Sequence, residues 1–206
     1  MPLEPLTAER RRQQTRDYLL QAAAEVFATR GFHEATLDEV AAAAGFTKGA
    51  VYSNFKNKED LFLALLEEAY SRELRSLHAT LEASEIPPEA RLTDFAELIR
   101  REIRESPASW DPLYLEFSTY AMRNPEAREK LNRIEQNDIQ AIANIIEEGR
   151  KRQGIDTDSS AHDAARIVFA LFKGLQIMRV LNPGSSNDDL LAVAMSFVAR
   201  GLGASS

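Results

Sequence analysis

Gly45 parts two short helix-forming runs with so little chain that they have no room to lie side by side. Nothing else in the sequence constrains the fold as strongly. Before it, Leu37, Val40, Ala41 and Ala44 recur at the spacing of one buried helix face. Thr36 precedes that face and Glu39 stands three positions on, the spacing of a capping box. Gly45 stops the helix where left-handed backbone costs least. Thr47 opens the next helix, and Phe46 before it is placed to staple onto Val51. Helices joined so tightly cross steeply. The stretch over 36–55 reads as a helix-turn-helix.

The second of these helices is shaped for a groove. With Val51 turned inward, Phe55 falls on the same side, and Gly49, Tyr52, Ser53 and Lys56 face out. Gly49, Ala50 and Ser53 are small enough for the backbone to come close to base edges. Lys48 can donate to guanine acceptors, while Tyr52 and Lys58 can reach phosphates. The competing reading is an ordinary helix pair inside a bundle.

The segment over 15–66 resembles the amino-terminal DNA-binding domain of the TetR family of bacterial repressors. It covers about a quarter of the chain, and GFxxAT, DEVAxxAG, TKGAVY and NKEDLF stand together at the family's spacing. The resemblance implies an all-α protein: a three-helix helix-turn-helix DNA-binding head on an antiparallel helical regulatory and dimerisation domain. Within it, Thr36, Thr47, Tyr52 and Lys58 match phosphate-contacting positions, and Lys48 and Gly49 match base-contacting ones. Asn54 departs from the pattern, standing where many members carry His, yet Asn can still donate to a phosphate.

Charge at first argues against a nucleic-acid partner, since the chain carries −7. Its distribution softens this. Residues 1–60 hold eight Lys or Arg against nine Asp or Glu, leaving −6 for the remainder. The positive charges of the head bunch at Arg10, Arg11, Arg12, Arg16, Lys48, Lys56 and Lys58, and the run from Arg10 to Arg12 is expected near the DNA backbone, the alternative being a solvated helix start. Acidity elsewhere keeps non-specific binding weak, so affinity must come from a fitted site.

The 206 residues, 44% hydrophobic, suffice for a sizeable core. The absence of cysteine excludes a disulfide frame and thiolate chemistry. No apolar run approaches eighteen residues and Met1 leads into a polar segment, so a cytoplasmic protein without membrane contact is expected. Helix-forming patterns run from Ala8 to Arg30, ending at Gly31 with Phe32 folded back on Phe27, and from Lys58 toward Ala83. The second would be about 40 Å long and is expected to act as a lever between a head over 1–57 and a second domain over 58–206. Pro87-Pro88 breaks the pattern. Helices are then expected over 88–105, between Ser106-Pro107 and Asn124-Pro125, on to about Arg152, over 161–181 and over 187–201.

Trp110, Tyr114, Phe117 and Tyr120 step along one helix by four, three and three. With Phe169 and Phe172 they are expected to line a pocket for a small-molecule effector, the alternative being plain core. Glu116, Arg123, Asn137 and Gln140 are its candidate polar groups. On this reading, replacing Phe117 damages induction more than operator binding. The eighth and ninth expected helices, 161–181 and 187–201, are apolar on more than one face and are expected to form a homodimer. Enzymatic chemistry finds no support. His33, His78 and His162 belong to no HExxH, there is no GxSxG or phosphate loop, and no metal or cofactor is expected. Glu147 and Glu148 read as a solvated face beside Arg150, Lys151 and Arg152. The function expected is a homodimeric repressor on a double-stranded, pseudo-palindromic operator, released by an effector. A DNA-binding regulator without an effector is the alternative.

Overall fold

A computed structural model describes residues 7–83, 110–154 and 158–182, together with residues 190, 193 and 194. The Pro87-Pro88 break, the helix expected over 88–105 and most of that expected over 187–201 lie outside the described residues. Seven helices are described: α1 (Ala8–Glu34), α2 (Leu37–Ala43), α3 (Lys48–Asn54), α4 (Lys58–Ala83), α5 (Trp110–Arg123), α6 (Pro125–Gln153) and α7 (Ala161–Leu181). Among the described residues every regular element is a helix, and the fold class is all-α.

The chain forms two compact units, Met1–Glu68 with Pro112–Lys130, and Ala69–Asp111 with Leu131–Ser206. Leu61, Phe62, Leu65 and Leu66 of α4 are buried, as are Leu113, Phe117 and Ala121 of α5 and Ala127 of α6. All eight belong to the first unit, because one long and two short helices alone offer too little apolar surface for a core.

In the first unit α1 starts at Thr7, whose Oγ1 accepts from the Arg10 amide at 3.2 Å. Leu19, Leu20, Ala22, Ala23 and Phe27 form its buried side. The helix proper breaks at Gly31, where φ is 74° and ψ is 170°. The turn there brings the Phe32 ring to 6.2 Å from that of Phe27. Thr36 and Glu39 make both bonds of the capping box at α2. Gly45 takes the left-handed conformation, φ 70°, and Thr47 caps α3 by accepting from the Ala50 amide at 3.3 Å. The Phe46 ring stands 6.3 Å from that of Tyr18. At α4, Asn57 Oδ1 accepts from the Asp60 amide at 2.8 Å, and the Asp60 carboxylate accepts from the Lys56 amide at 3.1 Å.

In the second unit Ile139 and Ala143 of α6 pack on Ala165 of α7, with Ile142, Ile146 and Phe169 around them. Arg150 is buried, not part of the solvated charged face expected for it. Its guanidinium donates to the Ser159 carbonyl at 2.8 Å and to Ser159 Oγ at 2.7 Å, tying the end of α6 to the segment before α7. Ser160 Oγ then accepts from the Asp163 amide at 3.3 Å and starts α7. No helix among the described residues is long and apolar enough to cross a membrane.

Candidate nucleic-acid interface

The seven residues of α3 divide by face. Val51, with Phe55 just beyond the helix, is fully buried, while Thr47, Lys48, Gly49, Tyr52 and Ser53 are exposed. Tyr52 keeps 53% of its surface in solvent, which leaves its ring and hydroxyl free to meet a partner. A Cβ at Gly49 would meet only Thr47 Oγ1, at 3.8 Å. Packing therefore does not demand glycine there, and what glycine leaves is bare, approachable backbone. Ala50 is half-buried.

Three residues expected to contact phosphate are already engaged within the protein. The Thr36 hydroxyl donates to Glu39 Oε2 at 2.9 Å and accepts from the Glu39 amide at 3.2 Å, so its hydrogen is committed to the cap. Glu39 is also paired with Arg30 at 2.9 Å. The Arg30 bonds, and then those from Thr36, hold its carboxyl below the usual range. Asn54 Nδ2 donates to the Ala50 carbonyl at 2.8 Å, turning its donor into the helix. Lys58 Nζ donates to the His33 carbonyl at 2.8 Å and lies 4.9 Å above the Phe32 ring. Burial lowers the Lys58 ammonium. Two of its hydrogens remain for a phosphate.

The residues expected to line a pocket fall in both units. Tyr114, Phe117 and Tyr120 belong to the first unit, Phe169 and Phe172 to the second, and the Trp110 side chain lies outside the described residues. Phe117 is fully buried, stacked on Phe62 with ring centroids 4.7 Å apart and set edge-on to Phe32 at 5.0 Å. The Tyr120 hydroxyl donates to the Glu59 carboxylate and accepts from Asn124 Nδ2, and its bond to Glu59 raises the phenol. Tyr114 is half-buried. Of the candidate polar groups, Glu116 accepts from the Phe32 amide at 2.7 Å, and Gln140 donates to Asn144 at 3.0 Å on the surface. The described side of the second unit instead holds a buried polar cluster. Asp111, 2% exposed, accepts from Arg179 at 2.5 Å beside Gln176.

The pattern of the bacterial regulatory proteins, tetR family, matches residues 19–65, and that of the carboxy-terminal part of BetI-type transcriptional repressors matches residues 88–203. The second alone spans more than half of the chain. The chain belongs to the TetR family. This TetR-family repressor is 26% identical over 163 residues to the HTH-type transcriptional repressor DhaR of Mycobacterium sp. strain GP1, covering 79% of this chain and 81% of that one. Its fold is similar to that of FadR from Bacillus subtilis in complex with stearoyl-CoA, with a TM-score of 0.70, 20% identity and 90% and 98% of the two chains covered. It is likewise similar to a regulator from Saccharomonospora viridis in complex with choline, with a TM-score of 0.66, 23% identity and 91% and 96% coverage.

Two features of the TetR-family head escape sequence reading. Arg12, expected near DNA, and Arg16, both of α1, donate to the carbonyls of Ser53 at 3.3 Å and Asn54 at 3.4 Å, where the end of α3 is electronegative. Arg16 also lies 4.5 Å above the Phe55 ring. No local pattern could reveal bonds spanning 41 and 38 residues. The second feature is Asp38, whose carboxylate holds Lys48 Nζ at 2.5 Å and, by that bond, raises the Lys48 ammonium. Lys48 must leave this partner to reach a base, and Asp38 then stands close to incoming phosphates. Asp38→Asn is expected to tighten binding to operator and random DNA alike, by about twofold to fivefold. The slope of log affinity against log salt should steepen by up to roughly 0.9. Titration by fluorescence anisotropy at several salt concentrations measures both.

Proposed function

We propose that this TetR-family repressor acts as a homodimer whose two α3 helices enter successive major grooves of a pseudo-palindromic operator, and that a small molecule releases it. The observation that carries the reading is a stripe on α7. Ile167, Ala170, Gly174, Ile177 and Leu181 are all exposed, and they recur by three, four, three and four. This is the spacing of a seam between helices, and an uncovered apolar seam calls for a partner. Gly174 has nothing within 4 Å of a Cβ position, which leaves room for a second backbone. Leu190 and Val193 are exposed as well, in keeping with a contribution from the expected last helix.

A two-fold pair fits the DNA reading. Successive major grooves on one face of a duplex repeat at roughly 34–36 Å, and a two-fold axis presents identical helices to half-sites related in the same way. Thr47, Lys48, Gly49, Tyr52 and Ser53 form the reading face, with Lys58 at its edge. The effector binds in the second unit, with Phe169 and Phe172 as wall residues. The ligand-bound relatives support an effector of some kind without naming it. Helices α4, α5 and α6 each have residues in both units and are the continuous routes along which an effector acts on the heads. An effector releases DNA only by binding the non-binding conformer more tightly.

Sedimentation and a gel shift on the DNA flanking the gene test this reading together. The wild type should sediment as a dimer and shift that DNA. Ile177→Glu, placed in the middle of the stripe and away from both cores, should sediment as a monomer and lose the shift at equal concentration. A monomeric wild type, or a dimer indifferent to Ile177→Glu, would sink the proposal.

A further inference from the structure

Two buried oxygens in the second unit lack hydrogen-bond donors. Asp111 Oδ1 and Gln176 Oε1 are both inaccessible to solvent, and neither has a hydrogen-bond partner among the described residues. Their residues are 2% and 7% exposed. Such atoms are rare in folded proteins because each retains most of its desolvation penalty, so two of them on neighbouring side chains call for a donor. Gln176 touches the Asp111 carboxylate, so the two oxygens belong to one cluster. The apolar surroundings are on the page too. Lys173 and Gln176 lie three residues apart on α7, and Lys173 bonds to the Tyr70 hydroxyl with its ammonium 4.3 Å from the Tyr70 ring and 5.1 Å from that of Phe169.

We propose that Asp111 and Gln176 are the polar anchor of the effector site, and that they take an uncharged hydrogen-bond donor, a hydroxyl or an amide N–H, carried on an apolar molecule. This deepens the effector reading above and rests on it. The selection of an uncharged donor follows from the neighbours. Arg179 accompanies the Asp111 carboxylate at 2.5 Å and Lys173 adds a second favourable charge, so an ammonium would meet a carboxylate already answered and two cations that repel it. A carboxylate ligand fares worse, because it would set acceptor against acceptor at both oxygens. A hydroxyl or amide N–H satisfies an orphan oxygen without adding charge to a buried site. The Tyr70 and Phe169 rings supply apolar surface beside the anchor.

The test uses the full chain and two matched probe sets followed by thermal unfolding: 1-octanol, its methyl ether, octylamine and octanoate, then phenol, anisole, benzylamine and benzoate. The alcohol or the phenol should bind about tenfold more tightly than its ether and than either charged analogue, read as a difference of about 3–6 °C in midpoint. Gln176→Met removes one of the two acceptors and should shrink the distinction between alcohol and ether while both still bind. Gln176→Glu adds a second carboxylate, and preference should pass to the amine. Equal shifts by alcohol and ether in the wild type, or a preference undiminished by Gln176→Met, would overturn the anchor. So would the absence of any shift, which would mean that solvent serves the two oxygens. If only a charged probe stabilises the protein and also releases the operator, the anchor falls while the ligand-responsive reading stands. Failure of the operator gel shift itself strikes the underlying reading and not the anchor.

Discussion

Phe117→Ala is expected to destabilise the head by about 3–5 kcal/mol and to abolish operator binding, whether or not an effector is present. The ring is fully buried, stacked on Phe62 and edge-on to Phe32, with Tyr120 5.8 Å away. Removing it leaves a cavity between α5 and the two helices that carry Phe32 and Phe62, and aromatic contacts worth more than their area are lost with it. Since a domain's whole stability is only about 5–15 kcal/mol, the loss is a large share. The sequence pattern led to the opposite expectation, loss of induction before loss of DNA binding. Denaturant unfolding followed by near-ultraviolet circular dichroism, alongside a gel shift, decides between them. Phe117→Leu serves as the control, since a side chain that keeps much of the apolar volume should cost clearly less than alanine does. An alanine variant that melts like the wild type, binds operator and ignores effector would return Phe117 to a ligand site.

The two readings of Phe117 both come from the helix that carries it. Trp110, Tyr114, Phe117 and Tyr120 make one acceptable stripe along α5, and Leu113, Phe117 and Ala121 make another. The second is the one that is buried. Periodicity reports that a helix has an apolar side, and where apolar residues exceed one side it cannot choose among them. The head's framework was legible for the contrary reason. Thr7, Thr36 and Thr47 act on amides three positions away, and the breaks at Gly31 and Gly45 depend on one residue's backbone freedom. Such signals are complete within a few residues. The bonds of Arg12 to Ser53 and of Glu116 to Phe32 span 41 and 84 residues, and no local pattern contains them. The stripe on α7 falls between the two cases. The sequence showed an apolar excess, but only the burial of Val168 and Leu175 singles out Ile167, Ala170, Gly174, Ile177 and Leu181 as the side left over.

Gly31→Ala is expected to be the most damaging single methyl that can be added to the head. At φ 74° and ψ 170°, Gly31 occupies a region closed to residues with a side chain, at a cost of about 1–3 kcal/mol. The added Cβ would also stand 2.9 Å from Glu116 Oε2, the oxygen that accepts from the Phe32 amide at 2.7 Å. The bare Cα thus serves two ends: it turns the chain so that Phe32 joins the aromatic core, and it opens the notch in which the α5 carboxylate seats. A double-mutant cycle separates them. Glu116→Ala alone leaves the Phe32 amide without its acceptor and should cost about 1–3 kcal/mol. In the pair Gly31→Ala and Glu116→Ala the steric conflict disappears while the backbone strain remains, so the combined loss should fall short of the sum of the two single losses. Denaturant midpoints of the four proteins measure the coupling. Strict additivity would mean that the carboxylate swings away from an alanine at no cost, and the notch would then have no part in seating α5 on the head.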